Sequence, residues 1–441
     1  MTRQRHLVVG MLFLLTIITF MDRICISTAS DLIMADLHLS RQTMGYIFGV
    51  FAVSYALFQI PSGWLADTYG PRRSLFLVVS SWSLFTALTG AAWNAASLFG
   101  ARLLFGAGEA GAFPGASRAI FSWVNSKERG LANGIFHSGG RVGGALTLFL
   151  MPWLIHRVGW RATFLINGFV GIGWAVVWLA WFQDTPRQHR RVGEAECRHI
   201  EGASGEGAGE EAAAPEREPF GAILASPNMV LVMFQYVASN VTFFITLSWL
   251  FPYIKGRWGA GTALFAAVPL VLGIIAHWSS GALVTLLDRK GHRVGSRRIP
   301  ASIGFALATA GLLLCTRVDP ASAALFIGCF SVAIFGVEMT VAPSWTFCMD
   351  IGGRKSGAVS GAMNMMGNLG SAASAVAFPY FVDHVTIPGL VEKTGTANSF
   401  FIFAAVLNAM ALAAWMFMDP RRRGGLGGLA FPEGSFGKIK P

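Results

Sequence analysis

Stretches of about twenty apolar residues recur roughly a dozen times along this chain, and no other feature restricts the fold as much. In the first half they lie near 7–28, 43–63, 74–93, 97–121, 131–155 and 162–182. In the second they lie near 227–254, 263–287, 299–316, 321–348, 357–382 and 398–418. A run of that length crosses the roughly 30 Å hydrocarbon layer of a bilayer as a helix. No water is present there to satisfy peptide groups, so each span must close its own hydrogen bonds. The 441 residues are 13% charged, against about a quarter in an ordinary soluble domain. The reading is an all-α integral membrane protein of about twelve transmembrane helices.

Between the sixth and seventh spans the character changes. Residues 183–219 contain RQHRR and EGASGEGAGEEAAAPERE, rich in Gly, Ala and Glu and without apolar periodicity. That is the composition of a flexible linker. It divides the chain into an N-terminal six-helix half (1–182) and a C-terminal one (220–419), with a basic, glycine-rich tail at 420–441. With the N-terminus inside, about 23 of the 34 Lys and Arg residues fall in cytoplasmic segments and about seven outside. This bias predicts cytoplasmic termini and linker in a multi-pass protein of the cell inner (plasma) membrane. MTRQRH and the apolar run after it look like the start of a signal peptide. No small-x-small site closes the run, so it is read as an uncleaved first span. The net charge of +11 is spread over short loops rather than gathered in a patch, which argues against nucleic acid as a partner. Cys25, Cys197, Cys315, Cys329 and Cys348 show no metal-ligand spacing and are expected to be inert. No nucleotide loop or nucleophile–base pair stands out, so neither an enzyme nor a cofactor is expected.

The two halves repeat. Glu109-x4-Pro114 in the fourth span recurs as Glu338-x4-Pro343 in the tenth, a shift of 229 residues. Gly130, Gly134 and Gly143 match Gly357, Gly361 and Gly370 at a shift of 227, which also pairs His137 with Asn364 and Arg141 with Asn368. Asp67-x2-Gly70 recurs as Asp288-x2-Gly291. Duplication predicts two pseudo-symmetric halves of parallel topology with a binding site between them, near mid-membrane.

Charges inside the spans point to that site. The fourth span, RLLFGAGEAGAFPGASRAI, holds Arg102 and Glu109 seven residues apart, on nearly one helix face. An ionised side chain at the bilayer centre costs about 2.5–3.5 kcal/mol on insertion scales, so such groups face partners or a water-filled path. The pair serves either transport or the pinning of two helices. Asp22 and Arg23 are adjacent and therefore about 100° apart around the first helix. Arg141, set among glycines, can hold a planar anion in a bidentate fork. Tyr236, Asn240, Trp345, Asn364 and Asn368 are polar or amphipathic groups in apolar spans and candidate cavity liners. His137 and His277 are read as packing residues or hydrogen-bonded helix contacts rather than a proton relay, Glu338 as structural, and Arg118 as a gate or interfacial charge.

GWLADTYGPRR, residues 63–73, resembles the loop signature of the major facilitator superfamily, and RLLFGAGEAG its fourth-helix motif. MDRICIS, GEAGAFPGASRAIFSWVNSKERGLANG and APSWTFCMDIGGRKSGAVSGAMNMMGNLG are similar to that superfamily's anion:cation symporters. The likeness extends over nearly the whole chain. It implies the major facilitator fold and makes Asp67, Arg72 and Arg73, with Arg118, a cytoplasmic latch. It also implies that Asp22 and Glu109 carry protons with Arg102 as Asp22's partner, that Arg23 takes the substrate, and that Trp345 and Asn364 line its site. Where galactonate-type members have a glutamine, near Gly140, this chain has Arg141, which favours a second carboxylate or sulfonate contact.

The expectation is a proton-coupled importer of a small organic anion, such as a sugar acid, working as a monomer in the bilayer by alternating access. Asp22 and Glu109 load protons, Arg102 is freed, and Arg23 takes the carboxylate. The proton is the coupling ion and no cofactor is needed. The alternatives are an organophosphate exchanger, an exporter of lipophilic compounds, and a transporter-like nutrient sensor.

Overall fold

The computed structural model describes residues 4–201, 219–259, 265, 267–319, 322–385 and 397–421. Twelve membrane-length helices follow in chain order. In the first half they are α1 (Gln4–Thr28), α2 (41–69), α3 (71–90), α4 (Ala95–Glu109, continued by Ala112–Trp123), α5 (129–158) and α6 (160–181). In the second they are α7 (Pro227–Ser248, continued by Leu250–Trp258), α8 (Val268–Arg289), α9 (Gly295–Cys315), α10 (Ala323–Met339, continued by Val341–Gly352), α11 (Ser356–His384) and α12 (Asn398–Phe417).

Local chemistry sets the boundaries. Gly70 and Gly159 separate α2 from α3 and α5 from α6, each at φ 80°, where a Cβ would be strained. Asn94 and Ser97 form a capping box at the start of α4, satisfying donors that the first helical turn leaves open. Ser226 caps α7, and Pro227 follows where its missing N–H costs nothing. The repeat is visible in the breaks themselves: α4 is interrupted just after Glu109 and α10 just after Glu338. Each span turns large apolar side chains outward, such as Phe149, Phe169, Val376 and Met416. Trp82, Trp123, Trp178, Trp345 and Trp415 are buried inside the halves and between them.

The duplicated glycines place the halves against each other. Gly130 and Gly134 on α5 sit against Gly281 and His277 of α8, and their repeat mates Gly357 and Gly361 on α11 sit against Gly63 and Gln59 of α2. A Cβ at any of the four would collide with the opposite helix, so the same small residues bring two helix pairs to close contact. Inter-half bonds seen among the described residues run from the end that carries Gln4 and the linker to the level of Arg141. They include Leu131 N–H to Thr285 Oγ1 (3.0 Å) and Trp278 Nε1 to Ser138 Oγ (2.9 Å). Among the described residues the hydrogen bonds at the opposite end stay within a half, as where Asp36 accepts from Arg161 (3.0 Å) and Trp160 (3.2 Å). The bundle is therefore sealed at the linker end.

The linker is less featureless than its composition predicts. Residues 186–188 form a 3₁₀ turn and Glu194–Glu201 a helix; 202–218 and the tail beyond 421 lie outside the described residues. Acidic residues begin this helix and Arg198 and His199 end it, which complements its dipole. Cys197 and Ile200 are buried beneath it.

Candidate functional site

Where the halves meet at mid-membrane, two glutamates each hold an arginine. Arg23 Nε on α1 donates to Glu109 Oε1 on α4 in a very short contact. Arg141 on α5 donates from Nε (2.7 Å) and Nη2 (2.5 Å) to Glu338 Oε1 on α10. The first pair lies within one half; the second crosses between halves. In both, the carboxylate is sealed off, at 0% and 1% exposure, while the arginine keeps 19% and 10%. The cations are thus the reachable members of each pair.

Aromatic rings frame both guanidinium groups. Arg23 lies 4.3 Å over Tyr55 and 5.4 Å from the Phe20 ring centre; Arg141 lies 3.9 Å over Phe243 and 5.8 Å from the same Phe20 ring. Those two Phe20 distances bound the separation of the guanidinium carbons at about 11 Å. Ring faces stabilise a cation without neutralising it, which leaves its N–H groups for an anion.

Asp22 differs from the expectation. Its carboxylate accepts from Trp82 Nε1 at 3.1 Å, and among the described residues no ion pair joins it to Arg102. Arg102, 2% exposed, instead stacks over Phe105 (4.2 Å) and Phe51 (5.0 Å). Its Nε and Nη1, together with Arg23 Nη2 and Glu109 Oε2, are buried without a hydrogen-bond partner. A buried guanidinium left this way is costly. The reason is local: Trp82 on α3 reaches the Asp22 carboxylate, and α4 turns Arg102 toward the phenyl rings of α2 and its own helix.

The remaining expected liners form a polar chain across the bundle. Asn364 Nδ2 donates to Gln59 Oε1 (3.0 Å) and approaches Tyr55 Oη (3.4 Å), joining α11 to α2. Trp345, fully buried, donates from Nε1 to Tyr236 Oη at 3.0 Å. Asn240 and Asn368 spend amide donors on their own helices, on Tyr236 O and Asn364 O. Tyr55, Gln59 and Trp82 were not singled out from the sequence. Gln59 stood in view as the lone amide of an apolar run.

Glu338, His137 and His277 come together beside Arg141. The histidine rings stack at 6.2 Å, His277 Nδ1 donates to Gly273 O on its own helix (2.7 Å), and its Nε2 lies 3.3 Å from Glu338 Oε2. Glu338 meets the Arg141 guanidinium from α5 and the His277 imidazole from α8, which sequence spacing alone could not reveal.

The latch is partly as expected. Asp67 accepts from the backbone N–H groups of Gly357 (2.9 Å) and Ala358 (2.8 Å) at the start of α11, with Arg118 Nε 3.7 Å from its Oδ1. A carboxylate suits the positive end of a helix. Arg72 and Arg73, expected to share this role, do not. Arg72 donates from Nε and Nη2 to Leu179 O within its own half, because the Gly70 turn aims it at the end of α6, and Arg73 is exposed. A second bridge went unnoticed in the sequence. Glu128 meets Arg5 (3.3 Å), His199 of the linker helix (3.2 Å) and Arg289 from the other half (2.7 Å). In the C-terminal half the repeat mate of Asp67 is used internally: Asp288 and Asp350 both bind Arg297 and Arg293. An apolar pocket of about 650 Å³ lined by Phe265, Leu272, Leu307 and Phe335 lies away from these charges and offers an anion nothing.

Buried cations between two repeat-related helical halves, sealed at one end, are the anatomy of a secondary transporter rather than an enzyme. The sequence model of the Major Facilitator Superfamily matches residues 12–375. The fold is similar to that of the proton:xylose symporter XylE, solved with 6-bromo-6-deoxy-D-glucose, at a TM-score of 0.74 over 93% of this chain and 95% of that one, with 14% identity. Among curated relatives, the probable sulfoacetate transporter SauU of Cupriavidus necator is 33% identical, covering 95% of this chain and 94% of its own. The probable galactarate/D-glucarate transporter GudP of Bacillus subtilis is 30% identical (95% and 92%), as is the D-galactonate transporter of Escherichia coli (93% and 94%). The chain belongs to the Major Facilitator Superfamily, and its relatives are those of the anion:cation symporter type.

Proposed function

We propose that this protein is a proton-coupled importer of a small organic anion in the cell inner membrane, with both termini and the linker cytoplasmic. The observation that carries the reading is the Arg23–Glu109 pair, a sealed carboxylate holding a partly exposed guanidinium at mid-membrane. A proton arriving on Glu109 removes the charge that holds Arg23, whose N–H groups then take the substrate carboxylate. The seal at the linker end fits a carrier waiting for cargo from outside. Bringing an anion inward against an inside-negative potential costs about 2.3 kcal/mol per 100 mV, and a co-transported proton cancels that term. Asp22 and Arg102 act beside this pair through space, Asp22 held by Trp82 and Arg102 by its aromatic cradle.

Curated relatives named for sulfoacetate, galactarate/glucarate and galactonate support acids of that kind as substrates. Tyr236, Asn240, Trp345 and Asn364 supply the polar and aromatic wall on the C-terminal side. The test is uptake of these acids into proteoliposomes. Accumulation should rise with an inward proton gradient and collapse with a protonophore; uptake indifferent to both refutes proton symport.

A further inference from the structure

The Arg141–Glu338–His277 cluster has no part in the mechanism above. His277 Nδ1 lies 2.7 Å from Gly273 O. A carbonyl oxygen only accepts, so Nδ1 carries the hydrogen. In the neutral ring Nε2 is then a bare acceptor, yet it faces Glu338 Oε2 at 3.3 Å. As they stand, two acceptors face each other without a hydrogen bond, and a proton arriving between them would join them. Gly273 also makes the room: a Cβ there would press on the Glu338 side chain. The other oxygen of Glu338, Oε1, is the one that Arg141 holds.

We propose that Glu338 and His277 form a second proton-carrying site, loaded only when Arg141 turns from Glu338 to a second acidic group on the substrate. This rests on the reading above and extends it: the carrier is built for dianions and moves one more proton with a dianion than with a monoanion. On loading, Arg141 leaves Glu338 Oε1 for the substrate, and the buried carboxylate, stripped of its cation, keeps one proton from outside against His277 Nε2. On release, the anion departs inward, Arg141 returns to Oε1, and that proton leaves with the cargo. The described titratable groups around Glu338 are Arg141 and His137 from α5, His277 from α8 and Tyr236 from α7; α9 meets α10 through Gly304 and Gly336. The two cations are a matched set. Arg23 and Arg141, no more than about 11 Å apart across Phe20, each wait on a glutamate at the repeat-equivalent position.

The experiment uses the full chain in proteoliposomes, with one pH unit across the membrane, the potential clamped at zero, and galactarate and galactonate as dianion and monoanion. Each coupled proton multiplies the limiting accumulation ratio by about ten under these conditions. Wild type should couple one more proton to galactarate than to galactonate, and Glu338→Gln should lower galactarate accumulation about tenfold. His277→Gln should do the same, which keeps the inference testable if Glu338→Gln does not fold. Equal proton numbers for the two acids in wild type would overturn it, as would undiminished galactarate accumulation in either variant. A wild-type carrier that ignores the pH gradient with both acids refutes the earlier reading instead.

Discussion

Replacing Asp67 with asparagine should unfasten the linker end of the carrier. Asp67 accepts two backbone N–H groups from the first turn of α11, at 2.9 and 2.8 Å, and both belong to the opposite half. Asparagine keeps the shape, but one of its terminal groups becomes an NH2 aimed at a peptide N–H. At least one charge-assisted hydrogen bond is lost, worth about 1.5–3 kcal/mol. The carboxylate's favourable position at a helix N-terminus goes with it. These bonds exist only while this end is closed, so the loss falls on the closed state alone. At about 1.4 kcal/mol per decade, the closed-to-open ratio drops roughly ten- to a hundred-fold. A carrier closed about 90% of the time would become open at least about half of it. Spin labels at Ser126 and Lys290, on facing loops of the two halves in a cysteine-free background, would read this as a growing long-distance population. An unchanged distance distribution in Asp67→Asn would refute the reasoning and reduce the latch to a surface ornament of the closed state.

Further outcomes follow from the same geometry. Glu109→Gln mimics the protonated acid, so counterflow of substrate should persist while concentration against a gradient fails; a variant that still concentrates substrate makes Glu109 structural. Arg23→Ala should abolish measurable binding of every acid the carrier accepts, whereas Arg141→Ala should weaken dianions at least about tenfold and barely touch monoanions. Calorimetry on a matched mono- and diacid decides this, and equal losses in Arg141→Ala would contradict the division of labour. Arg297→Met leaves Asp288 and Asp350 without their shared buried cation. It should cost about 3–5 kcal/mol of stability, visible as a lowered melting temperature in detergent, and an unchanged melt would show that Arg293 suffices. Gly357→Val places bulk against Gly63 and Asp67, so it should trap the linker end open, with protease or thiol access at that end as the readout.

Span length, the internal repeat and the charged positions follow from the chain itself, because each is a property of local sequence. Twenty apolar residues must be helical in lipid whatever surrounds them. The glycines at a constant offset exposed the duplication, while the two helix crossings that they make, where small residues let backbones touch, came from the assembled bundle. Partner choice is another matter. Asp22 was expected on Arg102 and meets Trp82, sixty residues downstream; Arg72 was expected at the latch and is turned by Gly70 onto its own half. Glu338 could be read as a buried charge, but only α5 and α8 brought Arg141 and His277 to its two oxygens. Hydrophobic length constrains a helix along its axis, but its rotation and its neighbours are set by packing between helices far apart in sequence. That is why the charges could be read from the sequence, and only the assembled bundle decided which of them pair and which keep an exposed edge.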